Sequence, residues 1–369
     1  MTLNFSFRYT PMKLGLGLYR QSLNQDNFRF ARQAGATHVI VHLVDYFGGR
    51  NPSLSRGDDR RGWGITQNQG KLWELEELIS IRKEIESHGL TWEAIENFDP
   101  SHWYDVLLDG PRKQAQLEGL KTMIRNIGKA GIPIMGYNFS IAGVWGWTKQ
   151  PVGRGQAESL VFDSEDVDLN MPMPNGMAWN MTYDPDAPEG NLRPVSSQEL
   201  WQRLEHFLQA IIPIAEECGV RLAAHPDDPP VERLRGTARL VNQPEKYERL
   251  LNLIPSPSNA LEYCLGSVQE MSGGDLYSNL DQFSKAGKIA YVHARNVNGK
   301  VPHYQEVFID EGDIDIHKAL SILHRNEFDG VVIPDHTPEM SCAAPWHAGM
   351  AFAMGYLKAT LENVTGERF

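Results

Sequence analysis

Four residues able to ligate a metal follow one another through the second half of this 369-residue chain: His225, Cys264, His293 and Asp335. They lie 39, 29 and 42 residues apart, and each closes a short apolar run. Gly-Val-Arg-Leu-Ala-Ala leads to His225, Asn-Ala-Leu-Glu-Tyr to Cys264, Ile-Ala-Tyr-Val to His293, and Gly-Val-Val-Ile-Pro to Asp335. The spacing is no local metal motif. It is the repeat of parallel strand–helix units, whose carboxyl ends converge on one rim when the sheet closes. Each residue alone has an ordinary reading, as a small buried thiol or a hydrogen-bonded imidazole. Four in phase on consecutive strands favour a shared centre. Two imidazoles, a thiolate and a carboxylate suit Zn2+, Fe2+ or Mn2+, and differ from the all-oxygen cages of Mg2+ or Ca2+.

His336 follows Asp335 directly and is the candidate acid/base, because an imidazole beside a metal site titrates near neutrality and can reach a proton next to a metal-held oxygen. Core packing is its ordinary alternative. Arg295, two residues beyond His293, is a candidate bidentate partner for a substrate carboxylate. His225 opens the run His-Pro-Asp-Asp-Pro-Pro over 225–230, in which prolines stiffen the loop and deny it a helix. Asp227 and Asp228 read equally as acceptors for the N–H groups of ligands and as turn residues.

Strand-like apolar runs recur at 13–18, 37–43, 91–96, 133–139, 219–224, 259–264, 289–293 and 330–334. Helix-period segments follow them at about 24–33, 72–87, 113–129, 198–217, 245–253, 280–286, 316–326 and 348–362. Ser196 with Glu199 three residues on is a capping-box start for the fourth of these. Eight strands alternating with eight helices predict an α/β fold, a (β/α)8 TIM barrel in which residues 1–369 form one domain. Gly15-Leu16-Gly17 lies inside the first run and does not match GxGxxG, so a dinucleotide fold is disfavoured. Long loops follow strands 2 and 4. Residues 44–70 carry Arg50, Arg56, Arg60 and Arg61, and residues 140–195 are rich in Pro, Gly, Met and Trp. Loops of such length on the catalytic face read as lids or oligomer contacts.

Composition narrows the partners. With 41% hydrophobic and 22% charged residues the chain is ordinary for a folded protein. The net charge of −12 offers no positive field for nucleic acid or an anionic membrane. Three scattered cysteines are no disulfide framework, no apolar run approaches the length of a membrane span, and the first residues do not read as a secretion signal. The expectation is a cytoplasmic protein acting on a small molecule, with a homo-oligomer left open.

His225 to Pro230 (HPDDPP), Cys264 to Ser267 (CLGS), His293 to Arg295 (HAR) and Pro334 to His336 (PDH), in this order, resemble the mannonate dehydratase family. So do Arg32 to Thr37, Trp92 to Glu96 with its strand-end Glu, and Tyr137 to Phe139. The resemblance implies conversion of D-mannonate to 2-keto-3-deoxy-D-gluconate, normally with Mn2+. It also implies metal ligation by His225, Cys264, His293 and Asp335 and proton transfer by His336. On that reading the metal and Arg295 hold the sugar acid, stabilising the enediolate formed as the C2 proton leaves, and a general acid helps the C3 hydroxyl depart.

Departures from the family pattern fall beside the metal ligands. Thr337-Pro338 replaces Gly-His, Val268 replaces a Tyr, and HAR replaces HLR. The place of a family Tyr near the start of the last helix falls near Trp346-His347, which makes His347 a candidate catalytic residue. A sugar isomerase or epimerase on a related barrel, and a catalytically silent sugar-acid binding protein, are the competing readings.

Overall fold

The computed structural model describes residues 12–46, 48, 63–66 and 70–368. Arg50, Arg56, Arg60 and Arg61 lie outside the described residues. Eight parallel strands close into a barrel: β1 (Lys13–Tyr19), β2 (His38–His42), β3 (Thr91–Glu96), β4 (Ile134–Tyr137), β5 (Arg221–Ala224), β6 (Asn259–Cys264), β7 (Ile289–His293) and β8 (Val331–Ile333). Going round the barrel from β1, the order is β8, β7, β6, β5, β4, β3, β2 and back to β1. Each of the eight apolar runs read from the sequence is one of these strands, and the expected TIM barrel is the fold observed.

The helices are α1 (Gln25–Gln33), α2 (Leu75–Ser87), α3 (Pro100–Leu108), α4 (Lys113–Lys129), α5 (Ser197–Cys218), α6 (Lys246–Leu253), α7 (Leu265–Glu270), α8 (Leu276–Lys285), α9 (Ile316–Arg325) and α10 (Pro345–Thr365). The capping box at Ser196 and Glu199 opens α5 as expected, and Gly219 closes it at φ 66°. Leu117, Leu120, Met123, Ile124 and Ile127 form the buried stripe of α4. Helix α3 carries no such stripe, because seven of its nine residues are buried. With apolar contact on nearly every side, it lacks the period that reveals a surface helix. Among the described residues, no helix is long and apolar enough to cross a membrane.

Strand alternation sorts side chains between the helices and the barrel interior. In β1, Leu14, Leu16 and Leu18 are fully buried in the main core, while glycines occupy 15 and 17. A Cβ at Gly15 would stand 2.5 Å from Val331 and 2.9 Å from Ile333, so these glycines make room for the β8 side chains. The interior layer below the rim mixes Ala94, Ala223 and Ala260 with Ile40, Ile134, Val331 and Ile333. Above it, Gly136 on β4 leaves the space through which Glu262 and Tyr291 cross the barrel.

The long loops fold on each other at the carboxyl end. Residues 140–195, read as irregular, contribute strands Trp147–Gln150 and Ser159–Asp163. The hairpin Asn296–Lys300 and His303–Val307, which follows β7, joins them in a four-stranded antiparallel sheet. The hairpin carries no apolar run, only Asn-Val-Asn-Gly-Lys and His-Tyr-Gln-Glu-Val. Its strands are organised by pairing with a segment more than 130 residues away in the chain, which local periodicity does not report.

Gly136→Ala would place a methyl 2.5 Å from Tyr291 Oη and 2.7 Å from Glu262 Oε2. The expected cost is about 1–3 kcal/mol, read as a lowered denaturation midpoint, as for other overpacked cores. Gly17→Ala, whose Cβ would meet only Ile333 at 3.6 Å, is expected to cost less. An equal midpoint for both variants would remove the packing argument.

Candidate metal centre and active-site cavity

Every barrel strand delivers a polar side chain to the rim at its carboxyl end. Tyr19, His42, Glu96, Cys264 and His293 are the last residues of β1, β2, β3, β6 and β7. Asn138 and His225 lie one residue past β4 and β5, and Asp335 two past β8. Parallel strands of a barrel share one direction, so these ends share one face.

His225, Cys264 and His293 bring donor atoms within 4.8 Å of one another. Asp335 Oδ2 stands 3.6 Å from His293 Nδ1 and 3.9 Å from Cys264 Sγ. The state of each donor fits a cation. His225 Nδ1 lies 2.7 Å from the carbonyl of Pro226, which can only accept, so Nδ1 carries a hydrogen and Nε2 is the nitrogen left to face a cation. Burial disfavours a charged Cys264, but the Arg295 charge and the adjacent His225 and His293 rings prevail, holding it well below its ordinary value as a thiolate. His293 is buried, and neither of its ring nitrogens finds a well-directed hydrogen bond, although Glu262, Glu96 and Asp335 stand 3.2–3.6 Å away. A buried imidazole left in that state is a ligand waiting for a cation.

A second layer of acids lies beneath. Glu96, Glu262 and His293 also group within 4.8 Å. Burial and the Glu96 charge push Glu262 up, whereas His42 and His293 outweigh burial and hold Glu96 down. The pair therefore shares one negative charge rather than two.

Two adjoining cavities of about 70 Å³ and 300 Å³ open above the cluster and share Tyr19, His42, Tyr46, Trp147, Asp335 and His336 along their walls. His336 Nδ1 is 2.9 Å from Glu306 Oε1, and its Nε2 is 3.5 Å from Asp335 Oδ1. Burial disfavours the charged ring, but the Asp335 and Glu306 carboxylates overcome it and raise His336 to about 9.

Two sequence expectations are corrected. Arg295 does not reach the cavity as a partner for a substrate carboxylate. It is 1% exposed and lines neither cavity. Its guanidinium is engaged by Asp228 Oδ2 at 2.6 Å, Ser267 Oγ at 2.9 Å and Glu306, with Glu270 at 3.2 Å and Asp335 at 3.3 Å. Acids gathered from four segments surround it. His347 does not face the cavity either. Its Nε2 pairs with Asn27 Oδ1 at 2.9 Å, and its ring packs edge-on against Phe30 and Trp346, between α1 and α10.

The two aspartates of the 225–230 loop divide the roles left open for them. Asp227 accepts the backbone N–H groups of Leu240 and Val241 and stitches the loop to the following segment. Asp228 accepts from Arg295, Ser267 and Tyr304 and so braces the cluster from behind. With Arg295 enclosed, Lys149 is the one lysine or arginine lining the cavities among the described residues, and it is paired with Glu339.

Tyr19, His42, Tyr46 and Glu306 are cavity residues to which the sequence reading gave no role. The strand-end rule that finds His225 to Asp335 also finds Tyr19 and His42 when it is applied to the first half of the chain. Glu306 has no such signal, since it arrives on the hairpin after β7.

The comparisons with known proteins agree with this geometry. The family profile of D-mannonate dehydratase (UxuA) matches residues 28–358. A mannonate dehydratase of Streptococcus suis strain 05ZYH33 is 34% identical over 285 residues, covering 72% of this chain and 75% of its own length. The crystal structure of mannonate dehydratase from Streptococcus suis serotype2 superposes with a TM-score of 0.74 at 25% identity, covering 97% of both chains. An L-ribulose 3-epimerase shares the fold alone, at a TM-score of 0.56 and 13% identity, over 96% of this chain and 95% of its own.

Cys264→Ser or His225→Ala is expected to lower bound divalent metal sharply in elemental analysis, while Cys218→Ser and Cys342→Ser, away from the cluster, keep it. Equal metal in all four variants would refute the ligand set. Arg295→Leu strands the acids around it and is expected to destabilise the fold by about 3–5 kcal/mol, the cost of breaking a buried ion pair from one side. A denaturation midpoint matching that of the unaltered protein would remove Arg295 from its bracing role.

Proposed function

This chain belongs to the D-mannonate dehydratase family, and on that premise we propose that it removes water from D-mannonate to form 2-keto-3-deoxy-D-gluconate, with Mn2+ at the site of His225, Cys264, His293 and Asp335. The observation that carries this reading is the grouping of His225, Cys264 and His293, with Asp335 beside them, at a cavity whose wall holds His336. Fe2+ and Zn2+ suit the same donor set, and Mn2+ follows from the family.

A divalent cation bound there would act as a Lewis acid on the substrate's carboxylate and C2 oxygen, countering the charge that develops as the C2–H bond breaks. The protein's share of the chemistry begins with His336. Glu306 accepts its Nδ1–H and so turns Nε2 toward the cavity as the atom that takes the C2 proton. A cation held at Asp335 would offset the carboxylate that chiefly raises His336 and so favour the neutral ring that a base requires. Arg295 braces Asp335, Asp228 and Glu306 and keeps these groups in register. The segment 140–195 supplies Val144, Trp147 and Trp179 to the walls, which supports its reading as the cover that excludes water. Three unpaired cysteines accord with work in a reduced, cytoplasmic setting.

Incubation of the Mn2+-loaded protein with D-mannonate is expected to yield a 2-keto-3-deoxy acid. His336→Ala is expected to lower kcat by about 10²–10⁴ with metal content unchanged. Exchange of substrate hydrogen with solvent without loss of water would favour an isomerase or epimerase. Binding without any turnover would favour a sugar-acid binding protein, and either result overturns the dehydratase reading.

A further inference from the structure

Loss of water from a 3-hydroxy acid needs two proton transfers at different atoms. One group removes the proton from C2, and another must protonate the C3 oxygen, because hydroxide is a poor leaving group. His336 serves the first position in the function proposed above. His347 does not face the cavity, and Glu306 is engaged by Arg295 and His336. The wall formed by β2 and β3 carries a different set of proton-handling groups, and no role follows for them from the metal site.

There the hydroxyl of Tyr46 lies 3.2 Å from His42 Nδ1, and His42 Nε2 lies 3.3 Å from Glu96 Oε2. Asn97 Nδ2 donates to Tyr46 Oη at 3.1 Å, so the phenol oxygen is held between Asn97 and His42. Asn97 holds this position with φ at 65°, a left-handed conformation that Asn tolerates better than most residues. The Tyr46 ring is fixed by Trp63 and Trp179, at centroid distances of 5.2 Å and 5.6 Å. Tyr19 stacks on His42 at 4.7 Å. Tyr46, His42 and Glu96 all line the cavities that also hold His336.

We infer that Tyr46 is the general acid that protonates the departing C3 hydroxyl, with His42 and Glu96 as the residues that position it. The inference rests on the dehydratase reading. In the step, the electrons of the C2–H bond form the C2–C3 double bond as the C3–O bond breaks. The C2 proton goes to His336, and the Tyr46 proton goes to the leaving oxygen, which departs as water. The Tyr46 phenolate then recovers a proton from solvent by way of His42, and His336 releases its proton to solvent. The net change in the substrate is the loss of one water, completed when the enol becomes the ketone. Burial, with Glu96 adding to it, raises Tyr46 well above its ordinary value, so the hydroxyl enters the step protonated.

The test is Tyr46→Phe, which keeps the ring and removes only the hydroxyl. Bound Mn2+ and the calorimetric affinity for D-mannonate should match the unaltered protein. Turnover of D-mannonate should fall by about 10²–10⁴, whereas elimination of fluoride from 3-deoxy-3-fluoro-D-mannonate, whose leaving group needs little protonation, should fall less than about tenfold. His42→Asn, which leaves Tyr46 in place, should lower kcat on D-mannonate with KM retained and be spared in the same way on the fluoro substrate. Unchanged D-mannonate turnover in Tyr46→Phe, or equal losses on both substrates, overturns the role of Tyr46 alone. Absence of dehydration by the unaltered Mn2+-loaded protein overturns the function itself and the inference with it.

Discussion

The site depends on one buried cation. The Arg295 guanidinium sits at the meeting point of acids from four separate segments: Asp228 in the loop after β5, Glu270 at the end of α7, Glu306 on the hairpin after β7, and Asp335 after β8. A desolvated charge of this kind is tolerable only when its partners surround it, and removing it would leave those partners uncompensated. Burial pushes Glu270 well up against the pull of Arg295, so that acid can remain neutral and the cluster need not gather a fourth full negative charge. The same guanidinium lowers Cys264 and Asp335, the two anionic members of the candidate donor set. A single side chain thus ties loop placement to donor chemistry.

From that point the carboxyl face of the barrel is assembled in layers. Asp228 also accepts Tyr304 Oη, Tyr304 accepts Trp147 Nε1, and Trp147 stands edge-on to His336 at 5.7 Å. The chain of contacts runs from the brace through the four-stranded sheet to His336. The excursions after β4 and β7 are therefore walls of the cavity, tied by hydrogen bonds to Asp228 and Arg295. The enclosure of Arg295 also changes how an anionic substrate is received. With net charge −12 and Lys149 already paired, a sugar acid meets little free positive charge on the described walls, so its binding rests largely on the cation held by the donors.

Much of the architecture was legible from local pattern. Each apolar run became a barrel strand because period and length are local properties, and so were the capping box at Ser196 and the stripe of α4. Helix α3 escaped because burial on nearly all sides erases amphipathic contrast. The hairpin after β7 escaped because its strands are polar and are held by a partner sheet distant in sequence. That four donor-bearing strand ends share one rim was readable because the strand-end rule turns a one-dimensional interval into a common face. Glu306 was not, because nothing in His-Tyr-Gln-Glu-Val indicates which side chain it will meet.

Residue type and spacing alone determined that four donors of mixed softness would stand on one face of a barrel, with a histidine beside them. Those are consequences of strand direction and repeat length, which any window of the chain carries. Only the tertiary structure decided the fate of Arg295 and His347, drawing the first into a nest of acids and turning the second toward Asn27. The reason is physical. Whether a charged side chain faces substrate or is neutralised inside depends on which distant segments supply opposing charge around it, and that arrangement exists only once the loops have packed.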